Sequence, residues 1–215
     1  PSLVLRDFEY QLEDGLSGCF EFKRNDGVVA RLAHEPVFRR NGKSIRSFLV
    51  AQKPDIVLEV TIPDGSGDAD RNFLWLFDAK YRIKTETGRY DDDDIQGTDH
   101  VPDDAINQMH RYRDALIYLH GDNQDQTQSK SRPVFGAFAL YPGFFDQPNT
   151  TNPYADAIKE VGIGAFALLP DDGTQHNGSH WLRSFLVEQL GVLNQQSVVY
   201  NTATRREQLY VQDAA

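Results

Sequence analysis

The 215-residue chain is 40% hydrophobic, 11% aromatic and 25% charged, the balance of a folded globular protein, and no apolar run approaches the roughly 18 residues of a helical membrane span. Its single cysteine, Cys19, excludes an internal disulfide and a thiolate metal cluster, and a reducing cytoplasmic location is expected. The net charge of -10 opposes free-standing DNA binding, because Lys and Arg side chains that neutralise phosphates supply most non-specific affinity.

The charge is unevenly spread. Residues 23–53 carry eight basic side chains against two acidic ones, whereas residues 54–110 carry five basic against fourteen acidic. A basic segment abutting an acidic one suits a site where cations bridge carboxylates and a polyanion.

Taken in chain order, Leu3 to Tyr10, Gly18 to Phe22 and Val28 to Leu32 read as short strands, the last two separated by the Asn25-Asp26-Gly27 turn signal. Two further runs, Pro54 to Ile62 and Asn72 to Arg82, flank Pro63-Asp64-Gly65-Ser66-Gly67 and predict neighbouring antiparallel strands. Gly88 to Pro102, with Asp91 to Asp94, predicts a solvated loop. A helix is predicted from Pro102, as its first position, to a stop at Gly121. Ala105, Met109, Tyr112, Leu116 and Leu119 form its buried stripe. The similar runs Gly136 to Pro142 and Gly164 to Pro170 predict two adjacent, central, buried strands, with an internal repeat as the alternative. His180 to Gly191 predicts an amphipathic helix through Trp181, Phe185 and Leu190. The order of elements predicts a single α/β domain over residues 1–215, with a central mixed sheet flanked by helices.

The chemistry concentrates on the paired strands. Alternation puts Asp78 and Lys80 on one face of their strand, and Asp55 and Glu59 on one face of theirs. If those faces coincide, carboxylates converge that would repel one another without a cation. Hard oxygen donors suit Mg²⁺, with Mn²⁺ as a substitute; such an ion acidifies a bound water and stabilises a leaving oxygen, while Lys80 orients the water or offsets transition-state charge. Either half alone also reads as an ordinary strand entry or a surface ion pair.

Pro54-Asp55 followed by Asp78-Ala79-Lys80 resembles the bipartite signature of PD-(D/E)XK, restriction-endonuclease-like nucleases, and Gln108 and Tyr112 resemble the Gln-x-x-x-Tyr helix of several branches. Phe77 to Arg82, Met109 to Ala115 and Ala139 to Gly143 are similar to the nuclease part of McrC-related, modification-dependent restriction proteins. The resemblance implies a DNA endonuclease in a restriction or defence system. It makes Asp55 and Asp78 metal ligands, has Lys80 assist the nucleophile, and borders the site with Gln108 and Tyr112. Residues 53–191 would be the catalytic core, after a β-rich part over 1–52 and before a tail over 192–215. One departure stands out: many members carry a further acid on an earlier helix. That helix is not evident here, so Glu59 is a candidate third ligand, or the chain, which opens at Pro1, is a fragment of a longer one.

Arg39, Arg40, Lys43, Arg111 and Arg113 are the candidate nucleic-acid contacts. The absence of a phosphate-binding Gly-rich loop excludes nucleotide hydrolysis by this chain. The McrC-like resemblance implies an additional N-terminal recognition region and a separate nucleotide-driven motor as partners. A non-catalytic nucleic-acid-binding or assembly module with the same fold stays open as the alternative. Asp91 to Asp94 lack the interspersed glycine and closing Glu of a calcium loop, and His176 and His180 have no cysteine nearby for a zinc site.

Overall fold

The computed structural model describes residues 3–4, 19–42, 44–63, 71–86, 98–119, 130–143, 145–170 and 177–190. The strands are β1 (Leu3–Val4), β2 (Phe20–Lys23), β3 (Val29–His34), β4 (Ile45–Ser47), β5 (Ile56–Ile62), β6 (Arg71–Ala79), β7 (Lys84–Glu86), β8 (Thr98–His100), β9 (Leu116–Leu119), β10 (Lys130–Ser131), β11 (Val134–Tyr141) and β12 (Ile163–Ala167). The helices are α1 (Asp103–Ala115), α2 (Ala155–Val161) and α3 (His180–Leu190), the last preceded by a short 3-10 turn. A seven-stranded sheet runs β1-β2-β3-β5-β6-β11-β12. It is antiparallel as far as β6 and parallel from β6 through β11 to β12. This is the expected mixed sheet flanked by helices.

Local signals explain much of it. The turn after β2 closes as its residues predict, with Gly27 at φ 89°, a conformation that favours glycine, and its N–H donating to the Arg24 carbonyl at 3.0 Å. On one sheet face, Leu58, Phe73, Trp75, Phe77, Phe138 and Phe166 are buried with Phe185 of α3. The Phe138 ring lies 5.2 Å from that of Phe166 and 5.1 Å from that of Phe185. On the other face, Val57, Leu74, Leu76, Ala137 and Ile163 pack with Met109 and Tyr112 of α1. The alternation of β5 and β6 thus serves two cores, as expected of a sheet covered on both sides.

Four sequence expectations are corrected. The helix ends at Ala115: Leu116 is extended (φ -94°, ψ 135°), and Leu116–Leu119 becomes β9, which pairs with β4 and β10 in a small second sheet. Leu116 and Leu119 are buried as expected, but as strand residues; the Leu-Ile-Tyr-Leu run suits a strand once a partner is present. Pro102 is the residue before the helix, not its first position. The predicted loop before it contains β8, paired with β7. Lastly, β11 and β12 are adjacent and parallel, but β12 closes the sheet among the described residues and is shielded by helices instead of a further strand.

The repeat-like glycines serve different neighbours. A Cβ on Gly136 would lie 2.4 Å from the Phe138 ring, and one on Gly164 would lie 2.5 Å from Ile158 of α2. The strand register sets Gly164 opposite Phe138, so the two segments answer to separate packing demands and not to a repeated unit. Most of the predicted strand Leu3 to Tyr10, the loop after Pro63, Asp91 to Asp94, Gly121, His176, Gly191 and the tail lie outside the described residues.

Candidate active site

β5 and β6 set Ile56 opposite Phe77, so the next pair outward in this antiparallel register is Asp55 and Asp78. Alternation carries both to the face occupied by α1, where Val57 and Leu76 already point. Asp55 is locked there: its Oδ2 accepts the Ala79 N–H at 2.7 Å, which ties the first carboxylate to the backbone between Asp78 and Lys80. The Lys80 N–H donates to the Leu140 carbonyl at 2.7 Å, extending the β6–β11 pairing by one residue and holding the lysine in strand-like alternation.

The helix closes the site. Lys80 Nζ donates to Gln108 Oε1 at 3.0 Å, Gln108 Nε2 donates to the Tyr112 hydroxyl at 2.7 Å, and that hydroxyl lies 2.9 Å from Asp78 Oδ1 and 3.1 Å from the Lys53 carbonyl. Lys80 also forms an ion pair with Asp78 Oδ2, so Lys80, Gln108, Tyr112 and Asp78 make a closed ring. Gln108 and Tyr112 take part together because they are one helical turn apart. Burial, followed by the neighbouring Asp78 carboxylate, pushes the Tyr112 phenol well above its ordinary range. It therefore stays a neutral donor to a charged acceptor.

Asp78 is almost completely buried, at 3% exposure, a costly place for an uncompensated charge. The ammonium of Lys80, paired with Asp78 Oδ2, offsets that cost. A buried carboxylate beside a second carboxylate held by the backbone offers the hard oxygen donors that suit a divalent cation. Mg²⁺ needs only one or two protein carboxylates and takes its other ligands from water and phosphate. Among the described residues no group of three or more His, Cys, Asp or Glu side chains has metal-holding geometry.

Glu59 is placed elsewhere. It shares the face of Asp55, but four residues of strand separate them by about 13 Å, and its carboxylate accepts from Arg31 at 3.1 Å. Arg31 also pairs with Glu21 at 2.9 Å, in a charged row across β2, β3 and β5. Glu35, which the residue pattern does not single out, is joined to Asp55 through the backbone. Its N–H donates to the Asp55 carbonyl at 2.7 Å, its carboxylate pairs with Lys53 at 2.7 Å, and its φ of 49° is unusual for a residue with a side chain.

Of the basic candidates, Arg39, Arg40 and Arg111 are exposed, and Lys43 lies outside the described residues. Arg113 is engaged in structure: it donates to the Val161 carbonyl at 3.2 Å and reaches Asp114 at 3.4 Å, tying α1 to the end of α2.

The family model of the PD-(D/E)XK nuclease superfamily matches residues 2–146, a span that contains every member of this ring together with Asp55. The chain belongs to the PD-(D/E)XK nuclease superfamily, whose members are generally nucleases that use divalent metals. Neither the curated proteins nor the solved structures include a significant match. No helix among the described residues is long and apolar enough to cross a membrane.

Proposed function

We propose that this chain is a Mg²⁺-dependent endonuclease that hydrolyses DNA phosphodiester bonds, in the McrC-related branch and in a cytoplasmic restriction or defence system. The observation that carries this reading is the ring of Lys80, Gln108, Tyr112 and Asp78 closed beside Asp55, which gathers two carboxylates and one ammonium at the end of paired strands. Asp55 and Asp78 would hold the ion, and when bound it would acidify a water and stabilise the leaving oxygen. Lys80 sits where an ammonium can orient that water or offset charge on the phosphoryl oxygens. Gln108 sets the position of the ammonium, and Tyr112 sets that of Asp78.

The net charge of -10 supports a division of labour in which recognition comes from an additional N-terminal region and a nucleotide-driven motor. Tethering would then raise the local concentration of DNA at the site. The same charge, with two carboxylates at the site among the described residues, is what favours the second reading, a non-catalytic module of the same fold. Cleavage by purified Asp78→Asn, Asp55→Asn and Lys80→Ala proteins decides between them. Losses of about a hundredfold or more are expected for groups acting in the transition state, with unchanged circular dichroism. Undiminished cutting by Asp78→Asn refutes the assignment.

A further inference from the structure

Just before the catalytic strand, Phe48, Leu49 and Val50 are 58%, 73% and 68% exposed. Three successive large apolar side chains facing water are disfavoured in a folded surface unless they meet something. The backbone beneath them is pinned. The Phe48 N–H donates to the Ala115 carbonyl at the end of α1 at 3.1 Å, the buried Ser47 hydroxyl donates to the Val50 carbonyl, and Gln52 Nε2 donates to that same carbonyl at 2.9 Å. The tip is therefore a preorganised projection.

Its surroundings indicate the occupant. From Pro36 to Pro54 the chain carries five basic residues and no acidic one, and of these Lys53 is paired with Glu35. Arg39 and Arg40 are exposed, and the Arg39 carbonyl accepts the Ser47 N–H at 3.1 Å, placing them at the base of the tip. Asp114, next to the tip's anchor at Ala115, is already paired with Arg132 at 2.9 Å. Apolar residues with exposed arginines at their base match nucleic acid, whose bases offer apolar faces between phosphates. The anchor at Ala115 lies two turns along α1 from Gln108, about 10 Å along the axis. With bases spaced by about 3.4 Å per strand, the tip reaches a base step a few nucleotides from the phosphate at the carboxylates.

We infer that Phe48, Leu49 and Val50 form a wedge that inserts into the DNA base stack beside the cleavage point, while Arg39 and Arg40 hold the flanking phosphates. The inference rests on the nuclease reading for its substrate and adds how that substrate is deformed: unstacking a step lets the duplex bend toward the carboxylates.

The test uses the full chain, low salt, Ca²⁺ to limit turnover, and duplexes carrying 2-aminopurine at successive positions. The wild type is expected to raise fluorescence severalfold at one or two adjacent positions. Phe48→Ala/Leu49→Ala should abolish that signal and weaken binding on the order of tenfold, the value of one base–aromatic stack, with an unchanged salt slope and thermal midpoint. Absence of any enhancement by the wild type, or equal enhancement by the double variant, overturns the wedge. So does sedimentation in which the substitutions dissociate an oligomer and leave unstacking intact, which would make the tip a protein interface. Mg²⁺ cleavage of the same duplexes by wild type and Asp78→Asn judges the nuclease reading separately: cutting without unstacking refutes the wedge alone, and unstacking without cutting refutes the nuclease alone.

Discussion

Tyr112→Phe is the most informative single perturbation, because it removes one oxygen and leaves the packing of α1 nearly unchanged. Tyr112 is 4% exposed and packs in the core beneath α1, so the ring stays buried and no large cavity opens. What is lost is the hydroxyl that accepts from Gln108 Nε2 at 2.7 Å and faces Asp78 Oδ1 at 2.9 Å. A hydrogen bond to a charged group contributes about 1.5–3 kcal/mol. The Gln108 amide and Asp78 Oδ1 are both left short of a partner, so the expected destabilisation is about 2–3 kcal/mol, below the 3–5 kcal/mol or so of a truncation that empties an aromatic site. Urea unfolding should show this as a lower midpoint at unchanged slope. Single-turnover cleavage should fall by about 10–100-fold, the usual cost of losing a group that orients a ligand, and Gln108→Ala in the same background should add little because both act through one ring. A Tyr112→Phe protein with wild-type stability and wild-type cleavage would refute the idea that the ring positions Asp78.

Other consequences are open to direct measurement. Mg²⁺ and Mn²⁺ should support cleavage, Ca²⁺ should support binding with little turnover because its looser geometry positions water poorly, and EDTA should stop the reaction; robust cutting after thorough metal stripping contradicts the two-carboxylate site. Fluorescence-anisotropy titration should show weak duplex binding by the 215-residue chain at physiological salt, strengthening when an N-terminal recognition region is attached; tight, sequence-specific binding by this chain alone would remove the need for a partner. Hydrogen bonds from Arg31 and then Lys23 hold the Glu21 carboxyl below its ordinary range. Its contribution is therefore fully present above the ordinary carboxylate pKa and is lost as pH falls through the depressed folded value. Glu21→Gln should be less stable than wild type at pH 7, and the difference should vanish in acid; a constant difference across that window would show that the Glu21–Arg31 pair does not carry it.

Features with a short period are legible in the linear chain. Two-residue alternation in Phe77-Asp78-Ala79-Lys80-Tyr81 sets the faces of the acid and the lysine, and a spacing of four places Gln108 and Tyr112 on one side of α1, because both depend only on local backbone geometry. Asn25-Asp26-Gly27 announces its turn for the same reason. Where two local rules compete, tertiary pairing decides. Leu116 and Leu119 continue the helical stripe of Met109 and Tyr112, yet the hydrogen bonds offered by β4 and β10 make them a strand. Glu59 is different: its four-residue spacing from Asp55 already sets it about 13 Å along the strand, and what the register adds is its partner, Arg31. The ring itself joins residues 28 and 34 positions apart, and the exposure of Phe48, Leu49 and Val50 depends on which surfaces α1 and β9 leave uncovered. The chain thus determines by itself which side chains can share a face. Which of those faces meet, and which apolar residues stay in water, is decided by long-range packing, because contacts between distant segments have no period that a linear pattern can display.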